Sequence, residues 1–241
     1  MTPPALNAVA IETATETVGV AVRTAEGVAA ELTLTGRRRH VETLTPALEH
    51  LLAQVGLTPR DLEVVAVDVG PGLFTGLRVG VATAKGLAQA LGIGVIGRSS
   101  LEILVRAAAD AGHGGRVLAA VDARRGEVFA TVSVVGGPTD VPGIDLLPPG
   151  LFTPAALVDA LVGLGPEPVV AVGDGAQRYV EQLAMVPGLT CLTNALAFPP
   201  PSTLLTLAAH EAATPVEPRF LVPLYMREAD ATSNFAQISR A

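Results

Sequence analysis

The densest run of chemically suggestive residues is Gly70-Pro71-Gly72-Leu73-Phe74-Thr75-Gly76-Leu77-Arg78-Val79-Gly80. It falls between a buried apolar strand and an amphipathic helix, with Thr75 as a natural N-cap and glycines that let the backbone bend sharply. A strand, a glycine turn and a helix N-terminus together offer free amides and a positive dipole end to an anion. No Gly-Lys-Ser/Thr follows, so this is not a Walker A loop, and dinucleotide context is lacking. An ordinary tight connection is the plainer alternative. A third use is a partner surface, because Gly76, Gly80 and Ala84 form a small-residue stripe beside the apolar Leu73, Phe74 and Leu77.

Glu12, Asp68 and Asp122 end three apolar strands. Acidic residues at such places hold Mg²⁺ in ribonuclease-H-like nucleases. The hairpin Glu12-Thr13-Ala14-Thr15-Glu16-Thr17 has no glycine for a close phosphate contact, so solvated strand-end acids are the plainer reading. The histidines, His40, His50, His113 and His210, lack the i, i+3 or i+4 pairing of a helical metal site. Arg37-Arg38-Arg39 reads as a solvated helix approach, with RNA phosphate or an acidic partner as the alternative. Cys191 stands alone, which excludes an internal disulfide, and it carries no nucleophile signature. No Gly-x-Ser-x-Gly elbow occurs. Tyr179 and Tyr225 are isolated, and the single lysine, Lys85, reads as a surface charge. No self-sufficient catalytic constellation emerges.

The elements that must position these residues follow from periodicity. Leu6–Ile11, Thr17–Val22 and Val28–Leu34 read as three strands joined by short turns. Leu44, Leu48, Leu51, Leu52 and Val55 mark one face of a helix, with a kink or reset expected at Pro46. Val64–Val69 is a buried strand; Leu77, Val81, Ala84, Ala88 and Leu91 give a second helix, stopped by Gly92; Ile93–Ile96 closes the unit. That order predicts a ribonuclease-H-like α/β layer fold. About 110 residues later, Ala119–Asp122, Val128–Val132 and Val170–Val172 repeat Val9–Glu12, Val18–Val22 and Val65–Val67 in the same order, which suggests a duplicated fold. Gly136–Pro154 reads as a loop with one strand, Ala155–Leu164 and Ala176–Ala184 as short helices, Thr203–Ala213 as a final helix, and the chain after Tyr225 as a loosely held tail.

The chain has 241 residues, 49% of them hydrophobic and 16% charged, with a formal net charge of −7. That balance excludes a disordered chain and argues against a large basic nucleic-acid footprint. No stretch approaches the ~20 apolar residues of a membrane span, and Met1-Thr2-Pro3-Pro4 lacks signal-peptide regions. A compact cytoplasmic protein is expected.

The sequence resembles the TsaB (YeaZ) family of bacterial proteins acting in threonylcarbamoyladenosine modification of tRNA. The resembling stretches are Ala10–Thr15, His40 with Leu44, Pro46 and Leu48, Gly70–Gly80 with Thr83–Gly86, Asp122–Val128, and Pro223-Leu224-Tyr225-Met226-Arg227. The resemblance implies two ribonuclease-H-like lobes of the actin and sugar-kinase superfamily, the second lobe reduced. The first would span 1–98, completed by the helix at about 203–213, the second 99–202, and a tail 214–241. It also implies a non-catalytic scaffold that binds and activates the catalytic paralogue TsaD. The small ATPase TsaE completes the complex after TsaC makes threonylcarbamoyl-adenylate, and tRNA is reached indirectly. TsaD carries a His-x-Glu-x-His metal motif where this chain reads Ser100-Leu101-Glu102-Ile103-Leu104, so both ligand histidines are missing.

The partner surface is then expected on His40, Leu44, Leu48, Phe74, Thr75, Gly76, Leu77, Arg78, Gly80 and Ala84, with the glycines allowing close approach of a TsaD helix. Glu12, Thr13, Thr15, Gly70 and Gly72 are weak candidates for nucleotide or anion contact. No intrinsic cofactor or metal is expected, and ATP or ADP at the heterodimer junction is the one candidate ligand. Exposed anchors favour a homodimer when the chain is alone. Glu12 stands where most relatives have Asp, and Leu73 where Ser is usual; both departures favour packing over phosphate binding. The competing reading is an ATP-dependent actin-like phosphotransferase using Gly173-Asp174-Gly175 and an acid such as Asp68 or Asp122. A nuclease using Glu12, Asp68 and Asp122 is a third, and nothing supports a glycoprotease.

Overall fold

The computed structural model describes residues 6–27, 29–36, 40–136, 144–192, 196–211 and 214–227. The basic trio Arg37–Arg39, the first five residues and the chain beyond Arg227 lie outside them.

Strand β1 (Ala8–Glu12) is buried along its whole length, as the apolar run Ala8–Ile11 suits a central strand covered on both faces, and the terminal Glu12 is buried with it. It pairs antiparallel with β2 (Thr17–Arg23), which pairs antiparallel with β3 (Ala29–Thr35). On its other side β1 runs parallel to β4 (Val64–Gly70), and β4 to β5 (Gly94–Ser99). The sheet order is β3-β2-β1-β4-β5. Helix α1 (His40–Gln54) and helix α2 (Phe74–Leu91) connect these strands and bury Leu44, Leu48, Leu51, Leu52, Val81 and Ala84 against one sheet face. The expected reset at Pro46 does not occur: α1 continues through it, with Pro46 on the exposed side. Gly92, in the left-handed conformation at φ 69°, ends α2.

A second sheet repeats the plan. Strands β6 (Gly115–Arg124), β7 (Glu127–Val135), β8 (Ile144–Phe152), β9 (Val169–Val172) and β10 (Leu189–Cys191) lie in the order β10-β9-β6-β7-β8. Position for position this is the first sheet again, and the three sequence echoes fall on the pairs β1/β6, β2/β7 and β4/β9. The fold is therefore two ribonuclease-H-like lobes of the actin and sugar-kinase type. The reduction of the second lobe is in its later elements: β10 has 3 residues, and helices α5 (Asp174–Arg178) and α6 (Val180–Leu183) stand where the first lobe has the 18-residue α2. Helix α4 (Pro154–Gly163) fills the place of α1 and is capped by Thr153, whose hydroxyl accepts from Ala156 N.

Helix α3 (Ser100–Asp110) escaped the sequence reading. Nine of its 11 residues are buried. It gives Ile103 to the core beneath the first sheet and Leu101, Leu104 and Val105 to the core of the second. Its polar residues do recur on one side, with Glu102, Arg106 and Asp110 at every fourth position and Arg106 paired to Asp110 at 2.7 Å, a helical period the sequence reading passed over. The other local signal was its cap, Ser99, whose hydroxyl accepts from Leu101 N at 3.2 Å. Helix α7 (Pro201–Glu211) packs Leu204, Leu205, Leu207 and Ala208 against the first sheet. No helix among the described residues is long and apolar enough to cross a membrane.

Candidate functional site

The two loops expected to meet a phosphate meet each other. Leu73 N donates to Ala14 O at 2.6 Å, and Thr13 Oγ1 donates to Gly76 O at 2.8 Å. A methyl group on Gly72 would overlap the Ala14 carbonyl, on Gly76 the Thr13 carbonyl, and on Gly80 the Thr13 hydroxyl. These glycines let α2 lie directly on the β1–β2 hairpin of its own lobe. The second lobe does the same, since methyls on Gly173 and Gly175 would collide with the backbone at Ala120 and Val121. The sequence expectation that Gly76 and Gly80 admit a partner helix is thereby corrected: the space they make is already filled from within.

Beneath this roof lie two carboxyls. Glu12 is fully buried; its Oε1 accepts from Thr15 N at 3.2 Å and its Oε2 from Thr17 Oγ1 at 2.5 Å. Asp68, also fully buried, accepts from Gly70 N and Ser100 Oγ, each at 2.7 Å, while its Oδ2 has no partner. Burial, then the charge of Asp68, raises Glu12 to about 8. Burial raises Asp68 to about 7. Perturbed acids often mark catalytic sites, but Glu12, Thr13 and Thr15 are at most 2% exposed. The reading of solvated strand-end acids is corrected; of the anion-contact candidates, Glu12, Thr13, Thr15 and Gly70 are buried and Gly72 is partly exposed. Asp122 is nearly buried as well, held by Arg124 Nη1 at 2.9 Å.

The other predicted interface residues separate by exposure. Leu44, Leu48, Leu77 and Ala84 belong to the protein's own interior, because the periodicity that singled them out is that of the core-facing side. His40 is buried too, its ring Nε2 donating to Thr15 O at 3.1 Å. Phe74, Thr75 and Arg78 remain exposed. Thr75 is not the cap; the N-cap position is Leu73, which offers no side-chain acceptor. Phe74 is 42% exposed, with the Arg78 guanidinium 3.9 Å from its ring centre and Tyr225 at 5.3 Å.

What the sequence reading missed is the opposite face of α2. Thr75, Ala82 and Gly86 fall on one outward line at the helix repeat, all exposed, small and uncharged. At its N-terminal end a cavity of about 370 Å³ opens between the starts of α1 and α2, lined by His40, Val41, Leu73, Phe74, Thr75 and Val79 among others. Val41, 71% exposed, stands at its rim. Two exposed charges border these apolar residues, Glu42 on the cavity lining and Arg78 over the Phe74 ring, and an apolar centre with a charged rim suits protein contact.

A family model described as TsaD, tRNA N6-adenosine threonylcarbamoyltransferase, matches residues 19–152. An uncharacterised protein of Mycobacterium tuberculosis is 35% identical over 224 residues, covering 92% of both chains. The tRNA threonylcarbamoyladenosine biosynthesis protein TsaB of Escherichia coli is 38% identical over 120 residues, 50% of this chain and 52% of its own. YeaZ from Pseudomonas aeruginosa superposes with a TM-score of 0.77 at 29% identity, covering 91% of this chain and 99% of that one. Matched in fold over 91% of its length by YeaZ and at 38% identity over half of it by TsaB, the chain belongs to the TsaB (YeaZ) family.

Proposed function

We propose that this protein is the non-catalytic subunit of the machinery that makes N6-threonylcarbamoyladenosine at position 37 of tRNAs, and that it binds and activates TsaD through the outward faces of α1 and α2. The observation that carries this reading is the contrast within one helix. The inner side of α2 is locked onto the β1–β2 hairpin above two buried carboxyls, Glu12 and Asp68. The outer side offers Thr75, Ala82 and Gly86, beside the cavity at Val41 and Phe74. A helix of the partner can lie along such a line, with an apolar side chain anchored in the cavity. The names of the relatives support the pathway, and the match to the TsaD model supports a partner of related fold. TsaE, as third member of the complex, and ATP or ADP at the heterodimer junction belong to the same reading.

The test is nucleoside mass spectrometry of tRNA from cells depleted of this protein. Threonylcarbamoyladenosine should fall, and return with the wild type but not with Gly86→Arg. An unchanged level after depletion contradicts the reading.

A further inference from the structure

Two stretches that stood out in the sequence, Asp122–Val128 and Pro223–Arg227, play no part in the reading above, and in the structure they interlock. The C-terminal segment crosses from one lobe to the other. Val216 bridges to Val95 on the edge strand β5, with reciprocal backbone hydrogen bonds of 3.0 Å. Leu221 enters the first-lobe core while its carbonyl accepts from Lys85 Nζ at 3.0 Å. Leu224 N donates to Val69 O at 2.7 Å, and Tyr225 stacks on Phe74. Then Met226 packs on the second-lobe core, and Arg227 grips the β6–β7 turn, donating to Ala123 O at 3.0 Å and to the Glu127 carboxylate.

The same turn reaches back to the first lobe. Arg124 pairs with Glu16 at the tip of the β1–β2 hairpin and with Asp122 at 2.9 Å, and Asp122 N donates to Asp174 Oδ1 at 2.9 Å. Arg124, Arg125 and Gly126 hold φ of 64°, 57° and 79°, the positive values that the tight β6–β7 turn calls for, and the turn thereby aims both arginines outward from the strand ends. We infer that the Asp122–Glu127 turn is an interlobe lock: Arg124 ties it to the first lobe's hairpin, Arg227 ties it to the C-terminal strap, and together they fix the angle between the lobes. Helix α3, packed against both sheets, supplies the surface about which the lobes would otherwise move. The strap explains why the chain needs an ordered segment after its last helix, and it corrects the expectation of a loose tail at residues 226 and 227.

The test is a spin-label distance measurement between Ala53→Cys on α1 and Asp159→Cys on α4, both exposed, in a Cys191→Ser background. The intact lock should give one narrow distribution. Arg124→Ala combined with Arg227→Ala should at least double its width or add a second population, and 1 M salt should broaden the intact protein in the same direction, because it shortens charge screening to about 3 Å. Glu16→Gln, on an exposed side chain at the hairpin tip, should give a smaller broadening. Unchanged distributions in the folded double variant overturn the inference. If the double variant does not fold, an unchanged distribution in Glu16→Gln at low and high salt does so.

Discussion

Gly80 and Gly86 lie six residues apart on α2, and the same substitution should act on them in opposite directions. A methyl at Gly80 runs into the Thr13 hydroxyl, so Gly80→Ala must displace the hairpin, at a cost on the order of 1–3 kcal/mol. At Gly86 nothing lies within 4 Å, so Gly86→Ala should gain about 1 kcal/mol of helix propensity. Urea unfolding midpoints measure both, and equal shifts of the same sign would contradict the assignment of inner and outer faces. The buried carboxyls make a second residue-scale prediction. Glu12 rises from 4.5 to about 8 and Asp68 from 3.8 to about 7, so the folded protein retains protons that the unfolded chain has released. That contribution is fully present below the unfolded values and is lost as pH rises through about 7 to 8. Melting temperature should therefore fall between pH 5.5 and 8.5, and Glu12→Gln should flatten the fall; an equally steep fall in the variant would show that another group governs it. Residue types and spacing marked Glu12 and the glycine loop as special. They did not show that one caps the other, because that contact joins residues some 60 positions apart.

The amphipathic helices α1 and α2 and the first three strands, apolar runs bounded by turns, were legible in the sequence. Helix α3 went unread although Glu102, Arg106 and Asp110 recur every fourth residue on one side, and β8, an exposed edge strand carrying Pro148 and Pro149, was expected only as one strand within the Gly136–Pro154 loop. The same core-seeking signal that located α1 and α2 also picked out Leu44, Leu48, Leu77 and Ala84 as contact residues, and these are buried in the protein's own interior. Lys85 shows the limit of local reading in another way. It looked like an isolated surface charge, yet it is half-buried and holds the strap at the Leu221 carbonyl. Lys85→Met should cost about 1 kcal/mol and raise amide hydrogen exchange over residues 216–225. Unaltered protection across that segment would mean that the Leu221 side chain alone anchors it.

At the scale of the whole molecule, duplication was visible as short apolar echoes, and the matched sheet orders give it structural form. Each lobe has turned its glycine loop inward onto the end of its first strand, and the proposed partner surface is the exterior of α1 and α2. The central claim is that this exterior, and not the buried stripe, recognises TsaD. It is tested most directly by titration calorimetry of the purified protein with TsaD from the same organism. Gly86→Arg should keep the fold and weaken binding by roughly 30-fold or more, as expected for about 2 kcal/mol lost at an interface centre. Gly80→Ala should lower stability yet bind normally below its unfolding transition. Normal binding by folded Gly86→Arg, or loss of binding only in Gly80→Ala, would contradict the account.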